Sequence, residues 1–441
     1  MTEFTVGIDI GTTSVKAVAV DGDGQVLRRT RIPHQLLVPT PDRMEHDAAA
    51  AWRRGPRRAF EAVGGPDARA VNVAAMVPSF TAVDRRGIPR GPGLLYGDDR
   101  GRTDSSASPA SSGESEAFIR WLAQEHAGAH GYWPAQAVAN VALGGEAVID
   151  TTTAGSVMPL FTGVGWNEDL LTPVGARPEQ FPRVVPWGEA AGKLGDVVLG
   201  SGSVDAMGEQ LVAGADEDGD VLVILGTTLI VWASTPEWRE VPGLWTIPNL
   251  ATGKLYIGGA SNAGGLFLGW ATSVVAKAKA ADQAALDPHH LPVWVPYIRG
   301  ERTPWHDASR RASLHDLDLT HTAAAVRRAA YETTGFVVRQ HLELSGTSSR
   351  RIVATGGGTR VPEWVQALAD GTGLPVDVVA VPEGGALGSA FIARMAAGLE
   401  TSFADAARWA RTSHRVEPDP RWAGPVADRY ARFRELADPP T

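Results

Sequence analysis

Two short stretches of the 441-residue chain place a carboxylate where chemistry would want one. Asp9 lies in Val6-Gly7-Ile8-Asp9-Ile10, an apolar strand pattern that runs into the polar turn Gly11-Thr12-Thr13. A carboxylate in such a strand costs several kcal/mol to bury unless it is paired or lies near a cation. Beside threonine hydroxyls and turn N–H groups it could hold Mg²⁺ through water, and a solvated strand-end Asp is the alternative. Asp205 follows Gly200-Ser201-Gly202-Ser203-Val204 at the start of a helical pattern, where a helix N-cap and a catalytic base share one signature. Asp98, Asp99 and Arg100, after Leu94-Leu95-Tyr96-Gly97, make a third polar cluster that a surface turn would also explain.

The elements around these residues repeat. Val221-Leu222-Val223-Ile224-Leu225, Gly226-Thr227-Thr228 and Leu229 to Ala233 echo the first strand, turn and returning strand, with the two Gly-Thr-Thr turns 215 residues apart. That spacing predicts two domains, 1–215 and 216–441, each opening on a polar-tipped hairpin and divided at the acidic stretch Asp216 to Asp220. Between the hairpins the pattern predicts a helix over Ala48 to Val63, strands over Ala70 to Met76 and Thr81 to Asp84, a loop over Gly101 to Gly113, a helix over Ser115 to Glu125 and a strand over Asp196 to Leu199. After the second hairpin come a strand at Leu255 to Gly258 and a long helix from Thr322 to Leu344. A strand at Arg351 to Ala354, Gly356-Gly357-Gly358, a helix at Val361 to Asp370, a strand at Val376 to Val381 and a helix at Ala386 to Ala397 follow. Such alternation is an α/β signature.

Composition removes whole classes of function. With 50 acidic and 41 basic side chains the net charge is −9, which argues against nucleic acid and anionic membranes as partners. The absence of cysteine removes thiolate nucleophiles, disulfides and thiolate zinc sites, and fits a cytoplasmic protein. Glu3 and Asp9 stand where a secretory leader would need a basic, then apolar, start. Glycine is abundant, 50 residues or about 11%, against a usual share of about 7%. Glycine turns after strands let backbone N–H groups approach phosphate oxygens. There is no Gly-x4-Gly-Lys-Ser/Thr, and Gly356-Gly357-Gly358 lacks the dinucleotide spacing, so a nucleotide held by two hairpins is the remaining expectation.

Gly7 to Lys16, the Asp205 segment, Leu225 to Thr228, Pro296-Tyr297-Ile298-Arg299-Gly300-Glu301-Arg302-Thr303-Pro304 and Ala354 to Gly358 together resemble the FGGY carbohydrate kinases, the group of xylulokinase, gluconate kinase and glycerol kinase. The resemblance implies a two-domain actin/hexokinase-like fold, a duplicated ribonuclease H-like core with ATP and sugar in an interdomain cleft. It implies that Asp205 is the general base; that Asp9, Gly11, Thr12, Thr13 and Lys16 form the first phosphate hairpin and Gly226, Thr227 and Thr228 the second; and that Gly265, Gly357 and Gly358 line the nucleotide. Asp98 and Arg100 fall on the family's Trp-x-Asp-x-Arg substrate motif, with Tyr96 in place of Trp. Met76 and Ser79 fall where ketose kinases often carry Met-His-Gly, Ala206 stands where a polar residue often follows the base, and the stretch from Gly101 to Gly200 is shorter than usual. These departures bear on the acceptor rather than on the reaction.

The expected activity is therefore transfer of the ATP γ-phosphate, with Mg²⁺, to a hydroxyl of a ketose, sugar acid, sugar alcohol or cyclitol. A catalytically weak ATP-binding regulator of the same fold and an NAD-dependent dehydrogenase are the competing classes. A small sugar or polyol and a second copy of the chain are the expected partners. His289-His290 is a candidate metal pair to which no role is assigned.

Overall fold

The computed structural model describes residues 3–103, 114–249 and 252–438, so most of the loop expected at Gly101 to Gly113 lies outside the described residues. The chain forms two compact units, residues 1–212 with 383–409, and residues 213–382 with 410–441.

In the first unit Thr5–Ile10 and Ser14–Val20 form an antiparallel hairpin, and Val26–Pro33 extends it. Ala70–Ala75 pairs in parallel on the other side of the first strand, and Val197–Gly200 and Ser203–Val204 pair in parallel with Ala70–Ala75. Every residue of the first strand is buried, because strands pair along both of its edges and the helices Gly384–Ala396 and Gly55–Ala62 pack against it. A second, four-stranded sheet has the order Glu45–His46, Gly93–Leu95, Ser79–Val83, Gly131–Trp133. The second unit repeats the plan. Asp220–Leu225 and Leu229–Thr235 form the hairpin, Leu255–Ser261 extends it, and Arg351–Thr355 followed by Val376–Val379 add in parallel. Three antiparallel strands followed by parallel additions occur twice in one chain, so the repeat read from the two Gly-Thr-Thr turns is a structural duplication.

A single cut at 215/216 does not describe how the chain is divided. The helix Gly384–Ala396, expected in the second domain, packs in the first unit, and the cause is steric. A Cβ on Gly7 would sit 1.8 Å from the Ala386 carbonyl oxygen, and a Cβ on Gly388 would sit 1.9 Å from that of Gly208. Glycines at 7, 208 and 388 let this helix lie directly against the first strand and the Asp205–Ala213 helix. Asn72 Nδ2 donates to Ser389 Oγ at 3.0 Å and Thr5 Oγ1 to the Ala390 carbonyl at 3.0 Å, so the contact is also hydrogen-bonded.

The expected helix over Ala48 to Val63 is a π-helical turn, Ala49–Arg54, running into an α-helix, Gly55–Ala62. The long helix is Ala323–Ser345, started by Thr322, whose hydroxyl accepts from Ala325 N–H, and ended by Gly346. Among the described residues, no helix is long and apolar enough to cross a membrane.

Candidate active site

The strand register sets Asp9 directly opposite Lys16. Lys16 Nζ stands 3.4 Å from Asp9 Oδ2, supplying the cation that a carboxylate in this strand requires. Asp9 Oδ1 is buried with no hydrogen-bond partner among the described residues. The charge of Asp9, then those of Glu209 and Asp205, hold the Lys16 ammonium above the ordinary lysine range.

Asp205 opens the helix Asp205–Ala213, one residue beyond the short strand that pairs with Ala74 and Ala75. Its Oδ1 accepts from Ala206 N–H at 2.8 Å. The side chain keeps part of its surface open to solvent, yet burial, with the Asp9 charge second, pushes its carboxyl up to about 7. Glu209 lies one turn further along the same helix and is buried. Three carboxylates thus share one lysine, and helix Gly384–Ala396 closes over them so tightly that a Cβ on Gly385 would meet the Asp9 carboxyl carbon at 3.2 Å.

Of the residues of the expected substrate motif, Tyr96 meets the first hairpin, while Asp98 and Arg100 pair with each other beside Met44 and Glu45. Tyr96 is buried and its hydroxyl is 2.7 Å from Thr12 Oγ1. Asp98 is fully buried and already filled: Met44 N–H and three donors of Arg100 reach its two oxygens at 2.7–3.0 Å. Arg100 also pairs with Glu45 and lies over the Trp121 ring at 4.7 Å. Asp98 therefore fixes Arg100 and the Met44–Glu45 backbone. Met76 is buried one residue past the strand Ala70–Ala75, and buried Ser79 Oγ accepts from Ala135 N–H at 3.3 Å, at the start of the helix Ala135–Ala142.

In the second unit the Gly226-Thr227-Thr228 turn closes with Leu225 opposite Leu229, whereas the first closes with Ile10 opposite Val15. The second loop is one residue shorter, and Ile224 and Ile230 stand opposite each other where the first hairpin has Asp9 and Lys16. Helix Gly265–Val274 starts against this turn: Gly265 N–H donates to the Gly226 carbonyl at 2.8 Å, and a Cβ on Gly264 would meet Leu229 N at 2.5 Å. Glu301, from the Pro296 to Pro304 string, is buried and accepts from Ser261 Oγ, Asn262 N–H and Arg302 N–H. It anchors the segment that leads into Gly264 and Gly265; burial pushes its carboxyl up to about 7. In Gly356-Gly357-Gly358, Gly356 has φ +91° and approaches the Leu225 carbonyl, and a Cβ on Gly358 would strike the Trp364 ring at 2.2 Å. A Cβ on Gly357 would meet nothing within 4 Å.

His290, Asp318 and His321 converge, with ligand atoms within 4.8 Å of one another. They form a closed hydrogen-bond set: Asp318 Oδ1 accepts from Thr320 N–H and Oγ1–H, His321 Nδ1 accepts from Asp318 N–H, and His290 Nε2 meets Thr320 Oγ1. His289 is outside it.

Sequence reasoning did not find Glu45, His46, Trp52, Glu209, Glu301 or Gly385. Glu209 was the most accessible of them, because it lies four residues after Asp205 on the predicted helix and so must share its face.

A duplicated sheet, each copy opening on a Gly-Thr-Thr hairpin and one carrying a half-buried acid at the start of a helix, defines a two-domain phosphotransferase of the actin-like ATPase fold. The chain belongs to the FGGY family of carbohydrate kinases: the model of that family's N-terminal domain matches residues 4–63 and that of its C-terminal domain residues 221–397. It is 25% identical to a gluconokinase of Bacillus subtilis (strain 168), over 91% of this chain and 89% of that protein. It is 28% identical to a xylulose kinase of Streptomyces coelicolor, over 97% and 93%. The solved structure of a xylulose kinase from Rhodospirillum rubrum superposes with a TM-score of 0.76 at 25% identity, covering 98% of each chain. The protein is a carbohydrate kinase.

Proposed function

We propose that the protein transfers the γ-phosphate of ATP to a hydroxyl of a small uncharged sugar or polyol, with Asp205 as general base, in the cytoplasm. The observation that carries this is Asp205 itself: solvent-reachable, at the first turn of a helix, and with a carboxyl held up to about 7 by burial and by Asp9. A base poised near the working pH transfers a proton with the best balance of availability and driving force. Asp205 would take the proton from the attacking hydroxyl as the new P–O bond forms and the bond to the β-phosphate oxygen breaks.

Within the first unit Gly11, Thr12 and Thr13 form a phosphate hairpin, and within the second Gly226, Thr227 and Thr228 form its counterpart, with Gly265 lining the nucleotide. Gly357 is assigned to the nucleotide because neither its φ nor its packing asks for glycine. The donor set also fits Mg²⁺. Asp9 Oδ1 is a buried, unpartnered hard oxygen, and Asp205 supplies a second carboxylate in reach of the same charge field. When bound, Mg²⁺ would supply charge neutralisation for the phosphates, beside the Asp9–Lys16 ion pair.

The cations of the first hairpin and of the Asp98–Arg102 segment are already paired, which favours an uncharged substrate over a sugar acid. Arg100 is neutralised by Asp98 and Glu45, Arg102 by Glu114 and Asp99, and Lys16 by Asp9. The test is ATP turnover against a panel of ketoses, polyols, cyclitols and gluconate, with wild type and Asp205→Asn. The expected result is turnover on an uncharged acceptor that falls about 10²- to 10⁴-fold in the variant. Equal turnover by both proteins removes Asp205 from its role, and gluconate as the best acceptor removes the substrate class.

A further inference from the structure

The first hairpin has a buttress that none of the roles above uses. His46, buried in the two-residue strand Glu45–His46, has Nε2 2.7 Å from the Thr12 carbonyl oxygen and Nδ1 3.0 Å from Trp52 Nε1. These partners assign its proton. An indole nitrogen only donates and a carbonyl only accepts, so Nδ1 is the bare nitrogen and Nε2 carries the hydrogen. A second proton on the ring would set Nδ1–H against the Trp52 N–H, and burial, with the nearby His34 second, holds the ring neutral. His34 is the titratable group facing His46, edge-on at 4.5 Å. Of the acids beside His46 in sequence, Glu45 is committed to Arg100, and Asp47 to Arg54 and to Ala50 N–H.

The bond matters because of what shares the peptide plane. In a trans peptide the C=O and N–H point in opposite directions, so fixing the Thr12 carbonyl on one side fixes the Thr13 N–H on the other. The turn is pinned at its neighbouring groups as well. Gly11 N–H donates to the Ser14 carbonyl at 3.1 Å, and His34 N–H donates to the Thr13 carbonyl at 3.0 Å. Thr12 Oγ1 meets the Tyr96 hydroxyl. The Thr12 carbonyl is held by a side chain rather than by the backbone.

We propose that His46, as the neutral Nε2–H tautomer locked by Trp52, is a positioning residue that aims the Thr13 N–H for a nucleotide phosphate oxygen. The proposal rests on reading Gly11 to Thr13 as a phosphate hairpin, and its tests are separable from that reading. Glutamine can both donate to Thr12 and accept from Trp52, whereas phenylalanine fills the space and can do neither. The full chain labelled with ¹⁵N-histidine, with His46 assigned by its loss in His46→Gln, should show a protonated Nε2 and a bare Nδ1 at neutral pH. An Nδ1–H tautomer or an imidazolium there overturns the assignment whatever the enzyme phosphorylates.

Affinity for a non-hydrolysable ATP analogue, titrated without any acceptor, is the second measurement. His46→Phe should weaken it about five-fold, the worth of one lost hydrogen bond, while His46→Gln stays within about two-fold of wild type. A His46→Phe variant that melts earlier yet binds the analogue as wild type does would make His46 merely structural and end the proposal. If His46→Phe does not fold, Trp52→Phe supplies the test: it frees Nδ1, so the ring should populate both tautomers and analogue binding should weaken. An unchanged tautomer together with unchanged binding in Trp52→Phe also overturns the proposal. Tautomer and analogue results as expected, with no polyol accepted, would fault the acceptor and leave His46 in place.

Discussion

Lys16 is where the residue scale is most exacting, because one ammonium faces Asp9 across the strands and feels Glu209 and Asp205 as well. Removing it leaves the buried Asp9 carboxylate without its cation, a change that typically costs about 3–5 kcal/mol. Lys16→Met should therefore lower stability by about 3 kcal/mol in denaturant titration, and adding Asp9→Asn should recover much of that loss. If the double variant is as unstable as the sum of the single ones, the pair is not the source of the effect. Asp9 was legible in the sequence because an acid inside an apolar strand needs an explanation. Its partner was legible as a residue but not in its first task, since cross-strand register is a property of the folded hairpin. Asp98 shows the opposite limit. Its motif suggested a substrate contact, and only the fold reveals four internal donors around it.

Whole elements were read more easily than their edges. Both hairpins, the long helix and the strand-turn-helix series after Arg351 follow from periodicity and glycine punctuation. The one-residue difference between the two Gly-Thr-Thr loops does not, because the strand pattern on either side is the same. Nor does the placement of Gly384–Ala396, which depends on glycines contributed by Gly7 and Gly208, far away in sequence. The same logic separates neighbouring glycines by experiment. Gly358→Ala should destabilise by about 1–3 kcal/mol, because its Cβ must displace the Trp364 ring. Gly357→Ala has open space and should stay within about 0.5 kcal/mol of wild type in stability while raising the KM for ATP severalfold. A Gly357→Ala variant that is stable and has an unchanged KM for ATP would free that glycine from the nucleotide. Gly388→Ala, with backbone 1.9 Å from its new Cβ, should destabilise more than Gly358→Ala, where a side chain can give.

At the scale of the molecule, the duplication was visible in two tripeptides half a chain apart, but the discontinuous first unit was not, because the chain returns to it only through contacts. The whole chain also balances two kinds of buried titratable group. His46 and His341 are held neutral by burial at about 4. For His341 the partners assign the opposite tautomer, Nδ1–H donating to the Val337 carbonyl and Nε2 accepting from Thr303. Histidines with depressed values take up protons on unfolding, so their contribution is present above about 6.5 and lost as pH falls toward 4. Asp205 and Glu301, both raised to about 7, act in the reverse sense: their contribution is complete near pH 4 and lost as pH rises through 7. The two slopes overlap between about pH 4.5 and 6.5 and oppose each other there. Glu301→Gln removes one of the opposing acids without touching either histidine. Normalised to its own value at pH 7, its unfolding midpoint should therefore fall more steeply toward pH 4.5 than that of wild type, by an amount equivalent to about 3 kcal/mol across the window. His341→Gln should tilt the profile the other way, and parallel profiles for the two variants and wild type would show that these buried groups do not carry the acid response.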